Sequence, residues 1–184
     1  MVSIFVGLDV STSCTGVAIL DAKKSSIITL DRIEYKKCKT LWEKADVTAC
    51  YLEKYKKDLE NACVVALEEP LMGFRAGMSS AATITTLMRF NGIVSYISRD
   101  IFKVDPLYIS SSTARKLCGV KVQKTSVAGL SGKEQVFKHM SEHDLKSIAW
   151  PTKKNGEPVE WSRDATDAYV IAKAASVQSV KNDK

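Results

Sequence analysis

The sequence predicts a mixed α/β layered fold, with a central five-stranded sheet whose first three strands are antiparallel and which helices flank. Three observations predict it. The chain opens on three consecutive strand-like segments, it then alternates helical spacing with short apolar runs, and after a fifth strand-like segment it continues in helices.

The segment VSIFVGLDV sets Val2, Ile4, Val6 and Leu8 against Ser3, Phe5, Gly7 and Asp9, the period of two that marks a strand. TGVAILD follows the polar turn STSC, so the opening reads as a hairpin, and SIITLDRIEY supplies a third strand. Across residues 41–59, apolar side chains at 41, 42, 45, 49, 52, 55 and 59 have the three-and-four spacing of an amphipathic helix. ACVVALE, residues 62–68, is short, apolar and β-branched, as a strand covered on both faces is, and Pro70 ends it. Residues 77–101 are mostly apolar with many small side chains, interrupted only by Gly92, and predict a long central or interface helix. VDPLYISSS reads as another strand, SSTARKLC as a short helix opened by a Ser/Thr cap, GKEQVFKHMSEH as a further helix, and residues 163–177 as the last. Polar loops occupy residues 121–131 and 149–162, and loops of that length in a compact domain are usually functional or mobile.

With 184 residues, 45% hydrophobic and 26% charged, the chain can bury a full core and is expected to be one domain over residues 1–184. Global disorder and low-complexity architectures are excluded. The longest apolar runs stop after five or six residues, against the ~20 that cross a bilayer, so a soluble protein with no membrane partner is expected. The N-terminus has no basic region or cleavage signal, which points to a cytoplasmic protein, bacterial or encoded by a phage or virus; a processed organellar form would look the same. Five scattered cysteines without a CxxC pair, and only two histidines, read as free thiols rather than a zinc site. A net charge of +6 with pI near 9.0 favours a polyanionic partner, nucleic acid first.

Carboxylates stand at the ends of three regular elements. Asp9 closes the first strand and Glu68 and Glu69 close the apolar strand, where a period of two sends the pair to opposite faces. Asp164 and Asp167, three apart in SRDATDAYVIAKAA, share one face of the first turn of the last helix. Each has an ordinary explanation, as a turn cap, an exit into solvent or an acid at a positive helix end. Together they are a way to assemble oxygen ligands for Mg²⁺ or Mn²⁺.

In this order, GLDVSTSCTGVAIL, VVALEEPLMG, SGKEQVFKHM and RDATDAYVIAKAA resemble the blocks of the RuvC Holliday-junction resolvases, over most of the chain. The resemblance implies an RNase H-like fold and four acidic metal ligands, Asp9, Glu68, Asp164 and Asp167. Glu68 is preferred to Glu69 because the family's acid directly follows an apolar pair, as in ALE here. It further places a catalytic lysine at Lys133, and makes Arg115 and Lys116 in SSTARKL candidates for phosphate contact. The implied activity is structure-selective nicking of four-way DNA junctions by a homodimer, with two metal ions about 3.5–4 Å apart activating water and relieving charge on the leaving oxygen. The long helix is the candidate dimer surface, and Lys121, Lys124, Lys153 and Lys154 are candidates to grip the DNA arms by shape. Two departures bear on substrate: the segment AWPTKKNGEPVEW is long for the bacterial enzyme, and Leu71, Met72 and Phe74 follow Pro70 where that enzyme carries an aromatic.

Flaps, forks and other branched DNA remain alternative substrates, and a non-catalytic branched-nucleic-acid binding module is an alternative function. GLDVSTSCTGVAILD also looks like the first phosphate turn of the actin-like and sugar-kinase ATPases, but 184 residues leave no room for their second lobe and no GxxxxGK[ST] loop exists.

Overall fold

The computed structural model describes residues 3–60, 63–70 and 80–182, with side chains as far as residue 180. Strands β1 (Ile4–Asp9), β2 (Cys14–Asp21), β3 (Ser26–Glu34), β4 (Cys63–Glu68) and β5 (Leu107–Ile109) form one sheet in the order β3-β2-β1-β4-β5. β1, β2 and β3 pair antiparallel, whereas β4 runs parallel to β1 and β5 parallel to β4. The strand that carries Asp9 is therefore the middle one.

Both faces of the sheet are covered. Val6, Leu8, Val17, Ile19, Val65 and Leu67 pack beneath helices α1 (Leu41–Leu52) and α3 (Ala81–Phe102). Phe5, Ala18, Leu20 and Ala66 face the other way, under α4 (Ser111–Leu117), α6 (Gly132–Glu142) and α7 (Trp161–Asn182). Asp9 belongs to this second row, with Phe5 and Gly7. Two strand glycines let α7 lie directly on the sheet: a Cβ on Gly7 would stand 2.1 Å from the Ala168 carbonyl oxygen, and one on Gly16 would stand 2.1 Å from that of Asp164.

Helix starts follow the side chains that can cap them. Thr40 and Ser131 form capping boxes with Glu43 and Glu134, and Ser80 and Ser110 accept from Thr83 and Thr113 backbone N–H groups. Gly92 does not break α3, because the helix is continuous through it and a Cβ there would meet nothing within 4 Å.

Several predicted boundaries shift. The helix expected over 41–59 is three pieces, α1, a 3-10 turn at Glu53–Tyr55 and α2 (Lys56–Leu59). Around that tighter turn Tyr51 donates to Asp31 and Tyr55 accepts from Thr29, so both rings lie against β3. The long helix begins at Ala81 within the described residues, rather than at 77. The last helix starts two residues earlier than 163 and runs on to Asn182. Asp164 therefore ends its first turn and Asp167 lies in the second. The loop 121–131 contains a helical turn, α5 (Thr125–Ala128), and the loop 149–162 is a small hairpin with an isolated Thr152–Pro158 bridge. Leu71, Met72 and Phe74 lie outside the described residues. All five cysteines are free. Among the described residues no helix is long and apolar enough to cross a membrane.

Candidate active site

Sheet order places the acids. Leu8 pairs with Leu67, so Asp9 and Glu68 leave neighbouring parallel strands side by side. On the other flank Asp9 pairs with Gly16, and over Gly16 passes the backbone of Asp164. One helical turn further, Asp167 returns to the same face of α7. Asp9 and Asp167 are almost closed to solvent, 7% and 8% exposed.

A single ammonium joins three of these carboxylates. Lys133, the second residue of α6, donates from Nζ to Asp9 Oδ2 at 3.0 Å and to Asp164 Oδ1 at 2.8 Å, and stands 3.3 Å from Asp167 Oδ2. Its side chain is 46% exposed, so water reaches the cluster from one side. Partial desolvation works to lower the Lys133 pKa, but Asp9, Asp167 and Asp164 outweigh it and hold the group well above the ordinary lysine value.

The acids are in excess of their counter-charge. Burial first, and then the neighbouring Asp9 carboxylate, push Glu68 up to about 7, while Ser111 acts downward. Burial and Asp9 likewise raise Asp167 to about 6, although Lys133 and Arg115 pull it down. Carboxyl groups whose pKa is raised by burial and by one another are the electrostatic condition that a hard divalent cation relieves, and an all-carboxylate donor set suits Mg²⁺ or Mn²⁺. The lysine ammonium already stands where such a cation's charge is needed. Asp9, Glu68, Asp164 and Asp167 are the groups that could hold one. Asp9, Asp164 and Asp167 are closed around Lys133, and among the described residues no three His, Cys, Asp or Glu side chains meet in a metal-gripping arrangement.

The other residues singled out by sequence divide by distance from this cluster. Arg115 on α4 is half-buried, acts on Asp167, and brings Nη1 to 3.9 Å from a Cβ placed on Gly132 beside Lys133. Lys116 is exposed on the same helix. Lys121 and Lys124 lie exposed in the loop before α6, and Lys153 and Lys154 in the hairpin before α7, where Lys153 is paired with Glu160 at 3.0 Å. Glu69 is exposed and without a salt bridge among the described residues, so Glu68 is the acid brought beside Asp9.

Sequence reasoning missed several supporting residues. Gly7 and Gly16 decide how close α7 comes, and a glycine inside a strand is the available signal for such an approach. Ser111 acts to lower the Glu68 pKa, and Asn91 Nδ2 donates to the Glu68 carbonyl at 3.2 Å. Cys14, two residues before Gly16 and so on the same face, lies beside Asp164; burial first and then that carboxylate push its thiol up to about 12. Arg32, paired with Gly16 across β2–β3, lays its guanidinium over the Trp161 ring at 4.7 Å. Nothing local in the sequence marks these last interactions.

Comparison with known proteins places the fold. No family model matches the chain, and no curated relative matches it. Among solved structures, Thermus thermophilus RuvC in complex with a Holliday junction substrate superposes with a TM-score of 0.67 at 12% identity, over 97% of this chain and 95% of that one. A second Thermus thermophilus RuvC structure gives 0.61 at 12% identity, over 97% and 96%. The fold is RuvC-like, an RNase H-like α/β architecture with a mixed five-stranded sheet.

Proposed function

We propose that this chain, acting as one domain, is a metal-dependent endonuclease that resolves four-way DNA junctions by paired symmetric nicks. The observation that carries the reading is the convergence of Asp9, Asp164 and Asp167 on Lys133 with Glu68 alongside, at the C-terminal end of the middle strand of a RuvC-like fold. A purely binding surface for a polyanion would gain nothing from clustered acids. The junction-bound neighbour supports branched DNA as the substrate class.

In this reading Asp9, Glu68, Asp164 and Asp167 hold Mg²⁺ or Mn²⁺, two ions per site. Bound there, the ions supply an activated water and offset the charge on the leaving 3′ oxygen. Lys133, tied to three acids in the free protein, offers its ammonium to the phosphoryl oxygens as charge builds. Arg115 binds the phosphate next to the scissile bond. Lys116, Lys121, Lys124, Lys153 and Lys154 neutralise backbone along the arms and carry most of the affinity.

A junction with near two-fold symmetry calls for a symmetric pair of sites, so the active species is a homodimer. The face formed by α1 and α3 suits that interface. Its groove of about 460 Å³ is lined by Trp42, Asp46, Arg89, Gly92 and Tyr96, with both rings largely exposed. Neither Asp46 nor Arg89 has a salt bridge among the described residues, and a two-fold axis would let each meet the other's counterpart.

The test is cleavage of a mobile four-way junction with Mg²⁺ or Mn²⁺, beside a flap and a plain duplex, with D9N as control. Paired nicks at the junction, absent in D9N although D9N binds more tightly, are expected. Metal-independent binding without cutting on any substrate would establish a binding module of the same fold instead. Equal cutting of flaps would redirect the substrate to branched DNA more broadly.

A further inference from the structure

The loop between α4 and α6 is built more tightly than a connection of its length needs to be, and one side chain holds it. Gln135 of α6 accepts from the Gln123 backbone N–H through Oε1 at 2.8 Å, and donates through Nε2 to the carbonyls of Gln123 at 3.0 Å and Leu130 at 2.9 Å. One amide thus pins both ends of the loop, using both of its Nε2 protons and its oxygen. Between the pinned ends α5 is a closed turn: Val127 and Ala128 N–H groups donate to Lys124, and Gly129, in the left-handed region at φ 69°, returns its N–H to Thr125.

This rigid turn presents apolar side chains to solvent. Val127 at its crest is 72% exposed, and Val122 and Leu130 at its base are exposed as well. A single exposed valine is unremarkable on a protein surface. Three exposed apolar residues on one clamped loop, with Lys121 and Lys124 on its rising limb and Lys133 three residues after Leu130, are a different arrangement. Val122 also touches the start of α6, with Cγ1 3.6 Å from a Cβ placed on Gly132. The loop therefore borders the start of α6, from which Lys133 reaches the carboxylates, and carries an apolar crest beside the exposed Lys121 and Lys124.

We propose that Val127 is a wedge that enters the base stack at the branch point, and that Gln135 is the positioning residue that holds it in place; this rests on the reading of the chain as a branched-DNA enzyme. Base faces are apolar and the flanking phosphates anionic, so crest and lysines each meet their complement. Insertion between stacked bases costs unstacking energy, least where pairing is already interrupted, as at a branch. A crest fixed before binding loses little conformational freedom on insertion, which is what the clamp contributes. The consequence is selectivity for branched over continuous DNA, separate from the affinity supplied by the lysines.

The experiment uses the full chain in chelator with a synthetic four-way junction carrying 2-aminopurine at each position flanking the crossover, and with a matched duplex. At saturating protein, fluorescence at one or more of these positions is expected to rise for the junction and not for the duplex. V127A is expected to lose most of the rise and V127L to keep it. Q135A, folded by circular dichroism, is expected to lose it as V127A does, although it leaves Val127 itself intact. An undiminished rise in V127A, or no rise at any position with a junction that the parent binds and cleaves, overturns the wedge and leaves the proposed function standing. Failure of the parent to bind or cut branched DNA overturns both.

Discussion

A methyl group on Gly16 would stand 2.1 Å from the carbonyl oxygen of Asp164. No real Cβ approaches backbone so closely, and neither β2, locked between two strands, nor α7, packed along its length, has a flexible atom to move aside. The active-site end of α7 is therefore seated by the absence of a side chain on the neighbouring strand. G16A is expected to destabilise the fold by about 3 kcal/mol or more, as overpacking at a rigid interface does, and to abolish cleavage in whatever fraction remains folded. Urea unfolding followed by circular dichroism measures the first, and the junction assay the second. A G16A protein of parental stability and activity would mean that α7 can ride away from β2.

The lysine at the centre of the acids has a separable role. K133M keeps the length of the side chain and removes its charge, leaving Asp9, Asp164 and Asp167 without their shared partner. Turnover should fall on the order of a hundredfold, the scale of losing one charge-stabilising donor, with a much smaller change in junction affinity. K133R should recover part of the rate. Equal losses in rate and affinity would place Lys133 among the arm-binding lysines instead.

The raised carboxyls set a pH dependence whose sign can be worked out. Glu68 at about 7 and Asp167 at about 6 hold protons in the folded state that the unfolded chain, with ordinary carboxyls, has already released. Unfolding in this interval releases protons, so the metal-free protein should lose stability as pH rises from about 5 to 8. Glu34, Glu134 and Glu160, whose pKa values are lowered, titrate below that interval, and Lys133 titrates above it. Melting midpoints in chelator at pH 5, 6, 7 and 8 should descend, E68Q should flatten the slope, and Mg²⁺ should restore stability chiefly at the upper end. A profile that climbs with pH would contradict the charge balance described here.

Arm-gripping lysines predict a salt signature. For K121A and K124A, the plot of log affinity against log salt should become shallower by about 0.9 for each phosphate left unneutralised. K153A should change it less than K154A, because Lys153 is already engaged by Glu160. An unchanged slope in all four would move the arms of the DNA to another face.

Much of the architecture was legible because local rules carry it. Alternation in VSIFVGLDV and TGVAILD marks strands whatever they pair with, and Ser110 and Ser131 mark helix starts because their hydroxyls satisfy nearby N–H groups. Boundaries failed where a tertiary partner intervened. Tyr51 and Tyr55 reach down to β3 where the helix over 41–59 tightens, and the last helix gains two residues at its start where Trp161 is covered by Arg32.

By itself, the sequence determined the class of fold, the order of its elements and which acids stand at the ends of them, since spacing alone dictates the face on which a side chain emerges. Only the tertiary structure decided that these ends meet. Asp9 and Lys133 are 124 positions apart, and their meeting depends on β1 being the middle strand, on Gly7 and Gly16 admitting α7, and on α6 starting over that helix. The clamp of Gln135 on its loop was equally invisible beforehand. Both are packing events between segments whose local propensities are satisfied with or without the other, so no local pattern records them.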